Sequence, residues 1–97
     1  MAKYIQLIKY TRNGVENVKE NPTRLDAVKK LCESMGAKVE GFYLTVGRHD
    51  TLVLVDAPDS KAMAKISLGT ASKGSVSTET LPAFTEEKYR KIIDAMA

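Results

Sequence analysis

Gly41-Phe42-Tyr43-Leu44-Thr45-Val46-Gly47-Arg48-His49-Asp50-Thr51-Leu52-Val53-Leu54-Val55-Asp56 is the stretch that decides the fold. β-Branched and aromatic residues flank Gly47 on both sides. The segment therefore reads as two strands, Ala37 to Val46 and Asp50 to Asp56, joined by a turn centred on Gly47-Arg48-His49. Strict alternation puts Phe42, Leu44 and Val46 on one face of the first strand, and Val39 and Tyr43 on the other. Gly41, inside that strand, predicts a bulge or the close approach of another backbone.

Upstream, Val15, Val18, Leu25, Val28, Leu31, Cys32 and Met35 recur at three- and four-residue spacing, the pattern of one buried helical stripe interrupted at Pro22. Asn21 is a cap and Pro22 a first helical residue. The reading is a short helical turn, a break, and a main helix from about Pro22 to Met35, ended by Gly36. Before it, Tyr4 to Tyr10 is a strand with apolar side chains on both faces.

Downstream, Ala57-Pro58-Asp59 opens a helix with a narrow stripe of Ala62, Met63, Ile66 and Thr70, and Gly74 ends it. Ser75 to Leu81 is a polar, Thr-rich strand before Pro82, suited to a sheet edge or to pairing outside its own chain. Thr85 caps a last helix that starts with Glu86 and Glu87 and buries Tyr89, Ile92, Ile93 and Met96. The order is βαββαβα. Right-handed crossovers turn it into an α+β, ferredoxin-like βαββαβ domain: four antiparallel strands, two main helices on one face, and an extra C-terminal helix.

The chain has 97 residues, the size of one domain spanning 1–97. A domain this small buries a modest share of its surface, and two-faced strands need more cover than two helices give, so a homodimer or higher homo-oligomer is expected. The lone Cys32 forms no internal disulfide and belongs to no zinc motif; it lies on the apolar stripe, where a free cysteine packs as a small hydrophobe. No metal and no cofactor are expected. The N-terminus lacks a signal-peptide pattern and no segment is long and apolar enough to span a bilayer, so a cytoplasmic protein without a membrane partner is expected. The formal charge of +3 is interspersed with acids, as in Glu86-Glu87-Lys88-Tyr89-Arg90-Lys91, and reads as solvated helix faces rather than a phosphate track.

Gly41 to Asp50, followed by Leu52-Val53-Leu54-Val55-Asp56-Ala57-Pro58, resembles the central signature of the GYD-domain family. Tyr4 to Thr11, Asn21 to Arg24 and Val76 to Phe84 resemble it too, in order and spacing. The family's Gly-Tyr-Asp motif carries an Arg after the Gly in many members, and His49 stands here where Tyr is usual. The resemblance implies a small bacterial or archaeal protein with a dimeric α+β barrel-type assembly and no firmly assigned activity.

His49 is the only histidine and the one side chain whose ordinary pKa suits proton transfer near neutrality; with Asp50 it forms the candidate catalytic pair, although neighbours on an extended strand point to opposite faces. Tyr43, Arg48, Tyr4 and Tyr10 are candidate ligand-binding residues, the tyrosines as pocket lining and Arg48 as an anion contact. Two readings follow. The first is an oligomeric small-molecule-binding module with a pocket near the Gly47–Asp50 turn. The alternative, by analogy of fold, is a cofactor-independent oxygenase or isomerase with His49 as general base. RNA binding fits poorly, because the third strand of an RNA-recognition fold presents aromatics and Asp50 to Asp56 has none, so no nucleic-acid partner is expected.

Overall fold

The computed structural model describes residues 1–96. Its strands are β1 (Ala2–Tyr10), β2 (Lys38–Leu44), β3 (Thr51–Ala57) and β4 (Val76–Ala83). Its α-helices are α1 (Arg12–Glu16), α2 (Asn21–Ser34), α3 (Ser60–Ala71) and α4 (Glu86–Asp94), with a single 3-10 turn at Val18–Glu20 before α2. The strands form one antiparallel sheet in the order β2-β3-β1-β4, the ferredoxin-like arrangement.

Register sorts the residues between two faces. Tyr4, Gln6 and Ile8 of β1 sit opposite Val55, Val53 and Thr51 of β3, and all six are buried beneath the helices. Cys32 of α2 and Met63 and Ile66 of α3 complete this core. Burial of the Cys32 thiol, aided by the neighbouring Glu33, raises its pKa above the ordinary thiol value. Ile5 and Leu7 pair with Leu54 and Leu52 on the opposite face, and all four are half-buried.

The caps explain where the helices begin. Thr85 Oγ1 accepts from the Lys88 amide and Asp59 Oδ1 from the Ala62 amide, each satisfying an otherwise orphaned first-turn donor. Asn21 differs from the sequence reading: it lies inside α2, its amide donates to Gly14 O and its Oδ1 accepts from Arg24, so it ties α2 to α1 instead of capping.

Three further expectations are corrected. The first concerns β2, whose register shifts between Val39 and Gly41, a bulge that restarts the alternation. Val39 therefore shares the helix side with Phe42 and Leu44, and Tyr43 alone of the predicted pair faces the open side. The second concerns Val15 and Val18: the break before α2 turns both out of the stripe, and they are exposed. The third is α4. Its apolar stripe is real, but Tyr89, Ile92, Ile93 and Met96 remain 57%, 46%, 47% and 68% exposed. None of its side chains is buried, and the chain measures 51 Å along its longest axis against 17 Å along its shortest. A stripe predicts that something covers it and does not say that its own chain does.

Candidate functional site

The β2–β3 turn is built from its two ends. Gly47 takes φ of +135°, a conformation that a side chain would strain, and this lets the chain reverse. The Thr45 amide donates to Asp50 O at 2.9 Å and the Thr45 hydroxyl to His49 O at 2.7 Å, closing the loop on itself. Asp50 then fastens it to β1: its amide donates to Ile8 O at 2.8 Å, and its Oδ2 accepts from the Tyr10 amide at 2.7 Å. The carboxylate thus continues the β1–β3 ladder one step past the last strand pair and satisfies a backbone donor.

His49 points elsewhere. Its Nε2 lies 3.5 Å from Glu79 Oε1, and because β1 separates β3 from β4, the imidazole reaches across β1 on the open side of the sheet. The pair gains ionic character when the imidazole is protonated. On the same side Tyr43, 58% exposed, is paired across the ladder with Leu52. Arg48 is exposed at the turn.

The remaining candidates lie on the helix side. Tyr4 is 8% exposed and belongs to the core. Tyr10 is half-buried and lines a cleft of about 840 Å³ between α2, the sheet and the end of α3. Leu44 and Thr51, on either side of the motif turn, form part of its wall. The structure therefore brings His49, Tyr43, Leu7 and Leu52 to one face and places Tyr4 and Tyr10 on the other, while the Asp50 carboxylate is engaged by the Tyr10 backbone amide.

Sequence reasoning missed three participants. Glu79 is the one acid in the Thr-rich strand, and that isolation was the available signal. Lys3 donates to Glu40 Oε1 at 2.6 Å and to Asp56 Oδ1 at 3.0 Å, at the end of the open face away from His49. The hydrogen bonds that Lys3 donates to Glu40 and Asp56 hold its ammonium above the ordinary pKa, and the bond accepted from Lys3 holds the Asp56 carboxyl below its own. Gln6, polar between Tyr4 and Ile8, is fully buried: its Nε2 donates to Ser67 Oγ, which is bonded to Thr80, and its Oε1 has no partner among the described residues. Among the described residues there is no group of three His, Cys, Asp or Glu side chains able to hold a metal, and no helix long and apolar enough to cross a membrane.

The family description "GYD domain" matches residues 4–93, nearly the whole chain. The chain belongs to the GYD-domain family. It is 36% identical over 84 residues to a Thermus thermophilus protein named glutamine synthetase and cystathionine beta-lyase binding protein, covering 86% of this chain and 88% of that one. A solved structure of a Thermus thermophilus protein superposes with a TM-score of 0.54 at 24% identity, covering 88% of this chain and 95% of the other. The leucine response regulatory protein of Mycobacterium tuberculosis superposes with a TM-score of 0.66 at 15% identity, over 87% of this chain and 51% of that one. This GYD domain spans about half of that regulator, and the likeness is one of fold.

Proposed function

We propose that this GYD domain is a binding module without chemistry of its own, which works as a homo-oligomer and holds a small molecule between sheet faces beside the Gly47–Asp50 turn. One observation carries the reading: a single copy leaves two apolar surfaces uncovered, the open sheet face and the α4 stripe. Water against such surfaces is costly at roughly 25 cal/mol per Å², and a second copy supplies matching cover. In a sheet-to-sheet pair Tyr43, His49 and Glu79 border the shared space with Leu7 and Leu52, and Arg48 stands at its entrance. An enzyme working there would have His49 as base without the Asp50 carboxylate, which the Tyr10 amide engages.

Sedimentation velocity at micromolar concentration tests the assembly, with dimers or larger species expected; a folded monomer overturns it. Thermal shift against a metabolite panel tests the ligand. A response in the wild type that disappears in a folded His49→Ala variant is expected, and saturating panels without any shift count against the small molecule.

A second reading is favoured by the name of the Thermus relative, that of a protein binding two enzymes. An exposed amphipathic α4 suits such a role, since apolar helix faces dock into grooves of partner proteins. Biolayer interferometry with purified glutamine synthetase and cystathionine beta-lyase, comparing the wild type with an Ile92→Ser, Ile93→Ser variant, separates the readings. Binding that the variant loses supports a protein partner; no binding to either enzyme removes it.

A further inference from the structure

The helix-side cleft is independent of the interface just described, and its chemistry is one-sided. Of the fourteen residues of α2 only Cys32 is buried, so α2 stands partly off the sheet. Val28 and Leu31 from α2 and Ile8, Phe42 and Val53 from the sheet line the gap of about 840 Å³ that results. That volume lies within the range of sites that hold small molecules, which are mostly apolar with a few polar groups that fix orientation.

The charged groups on the lining are all of one sign. Arg24 reaches the cleft from α2 and Lys73 from the loop after α3, and no Asp or Glu lines it. The Arg24 guanidinium is held in place: Nη1 donates to Asn21 Oδ1 at 3.1 Å and Nη2 to Glu20 Oε2 at 3.2 Å. Glu20 offsets part of its charge from outside the lining. Lys73 makes no ion pair among the described residues and is exposed. An apolar cavity with a fixed guanidinium and a free ammonium at its margin favours a molecule with an apolar tail and one acidic head. A neutral head would leave the Lys73 ammonium without a counter-charge, and a cationic head would be repelled.

We propose that this cleft is a second binding site, for a single-chain aliphatic carboxylate of the fatty-acid class, with its tail between α2 and the sheet and its head at Lys73 and Arg24. Titration calorimetry on the whole protein, with decanoate, decanol and decyltrimethylammonium below their micellar concentrations, tests it. Decanoate should bind once per chain, more tightly than decanol, and the cation should not bind. Lys73→Gln should weaken decanoate by about tenfold and leave decanol unchanged, the loss of one charge-assisted contact. Val18→Glu, at an exposed position on the lining, should weaken decanoate further still without disturbing the fold. Equal affinity for all three probes, or an unchanged decanoate affinity in Lys73→Gln, overturns the proposal. Methyl NMR locates the bound decanoate: shifts at Val28, Leu31 and Val53 are expected, whereas shifts confined to Leu52 and Leu54 would assign it to the sheet interface and overturn the cleft site.

Discussion

Val53 and Val55 on one side of β3, and Leu52 and Leu54 on the other, are the same kind of residue in the same strand. Yet the first two are buried while the second two are only half-covered. The difference arises from connection. Both crossovers, through α2 and α3, pass over one face, so the chain spends its cover there, and α4 has no buried side chain. A strand's residues thus state how much cover they need, and topology decides where the cover must be found.

Truncation on the covered side should have the largest effect on folding. Ile66→Ala, in the centre of the helix-side core, should lower unfolding free energy by about 2–5 kcal/mol in urea titrations, whereas Leu52→Ala should cost distinctly less in dilute protein. If the two cost the same at every protein concentration, the faces are not the unequal surfaces described.

Next in size is a pair of charges on the open side. Leu52→Lys with Leu54→Lys should leave far-UV circular dichroism intact and convert oligomer to monomer in sedimentation velocity, and it should abolish any dependence of Tm on protein concentration. An unchanged oligomer would move the contact elsewhere.

Asp50→Ala tests the tie between the motif turn and β1. Leaving the Tyr10 amide without its acceptor should cost about 1–2 kcal/mol by thermal or urea denaturation, while Asp50→Asn, which keeps an acceptor oxygen, should recover most of it. Loss of ligand response in Asp50→Asn at unchanged stability would instead point to chemistry by the carboxylate.

The smallest effect is electrostatic. Because Lys3 lowers the Asp56 pKa, that pair's contribution is complete above the ordinary carboxylate pKa and declines as acid titrates Asp56 through its lowered folded value. The raised Lys3 pKa works in the other direction, with a contribution present below the ordinary lysine value and lost as the pH climbs through the folded one. Asp56→Asn should flatten the acid side of a stability-against-pH curve, a slight change because the groups are solvent-screened.

Much of this was legible in the sequence, and the exceptions share a cause. Alternation in Leu52 to Val55, the stripe of Ala62, Met63, Ile66 and Thr70, the opening at Ala57-Pro58-Asp59 and the Thr85 cap depend on neighbours a few residues away, and they specify β3, α3 and α4 closely. Val39 lies on the face opposite to the one alternation predicts because one extra residue in β2 resets the phase, and Gly41 announces a bulge without its direction. The roles of Asp50 and His49 follow from β1 and β4, forty and thirty residues away respectively, so no local pattern could distribute one to a backbone amide and the other to Glu79. Tyr4 belongs to the core and also borders a small hollow with Glu40 and Phe84, since an aromatic on a strand serves a core and a cavity wall alike.

Both margins of the sheet are irregular. In β4 Pro82 withdraws an amide donor opposite Tyr4, and in β2 the bulge at Val39 and Gly41 bends the other border. A straight row of free amides and carbonyls, the template on which identical strands stack into cross-β fibres, is therefore missing from either side. In the proposed assembly, recruitment of further copies is confined to the flat of the sheet and to α4, surfaces used up once a few copies have met, and such contacts give particles of finite size rather than fibres.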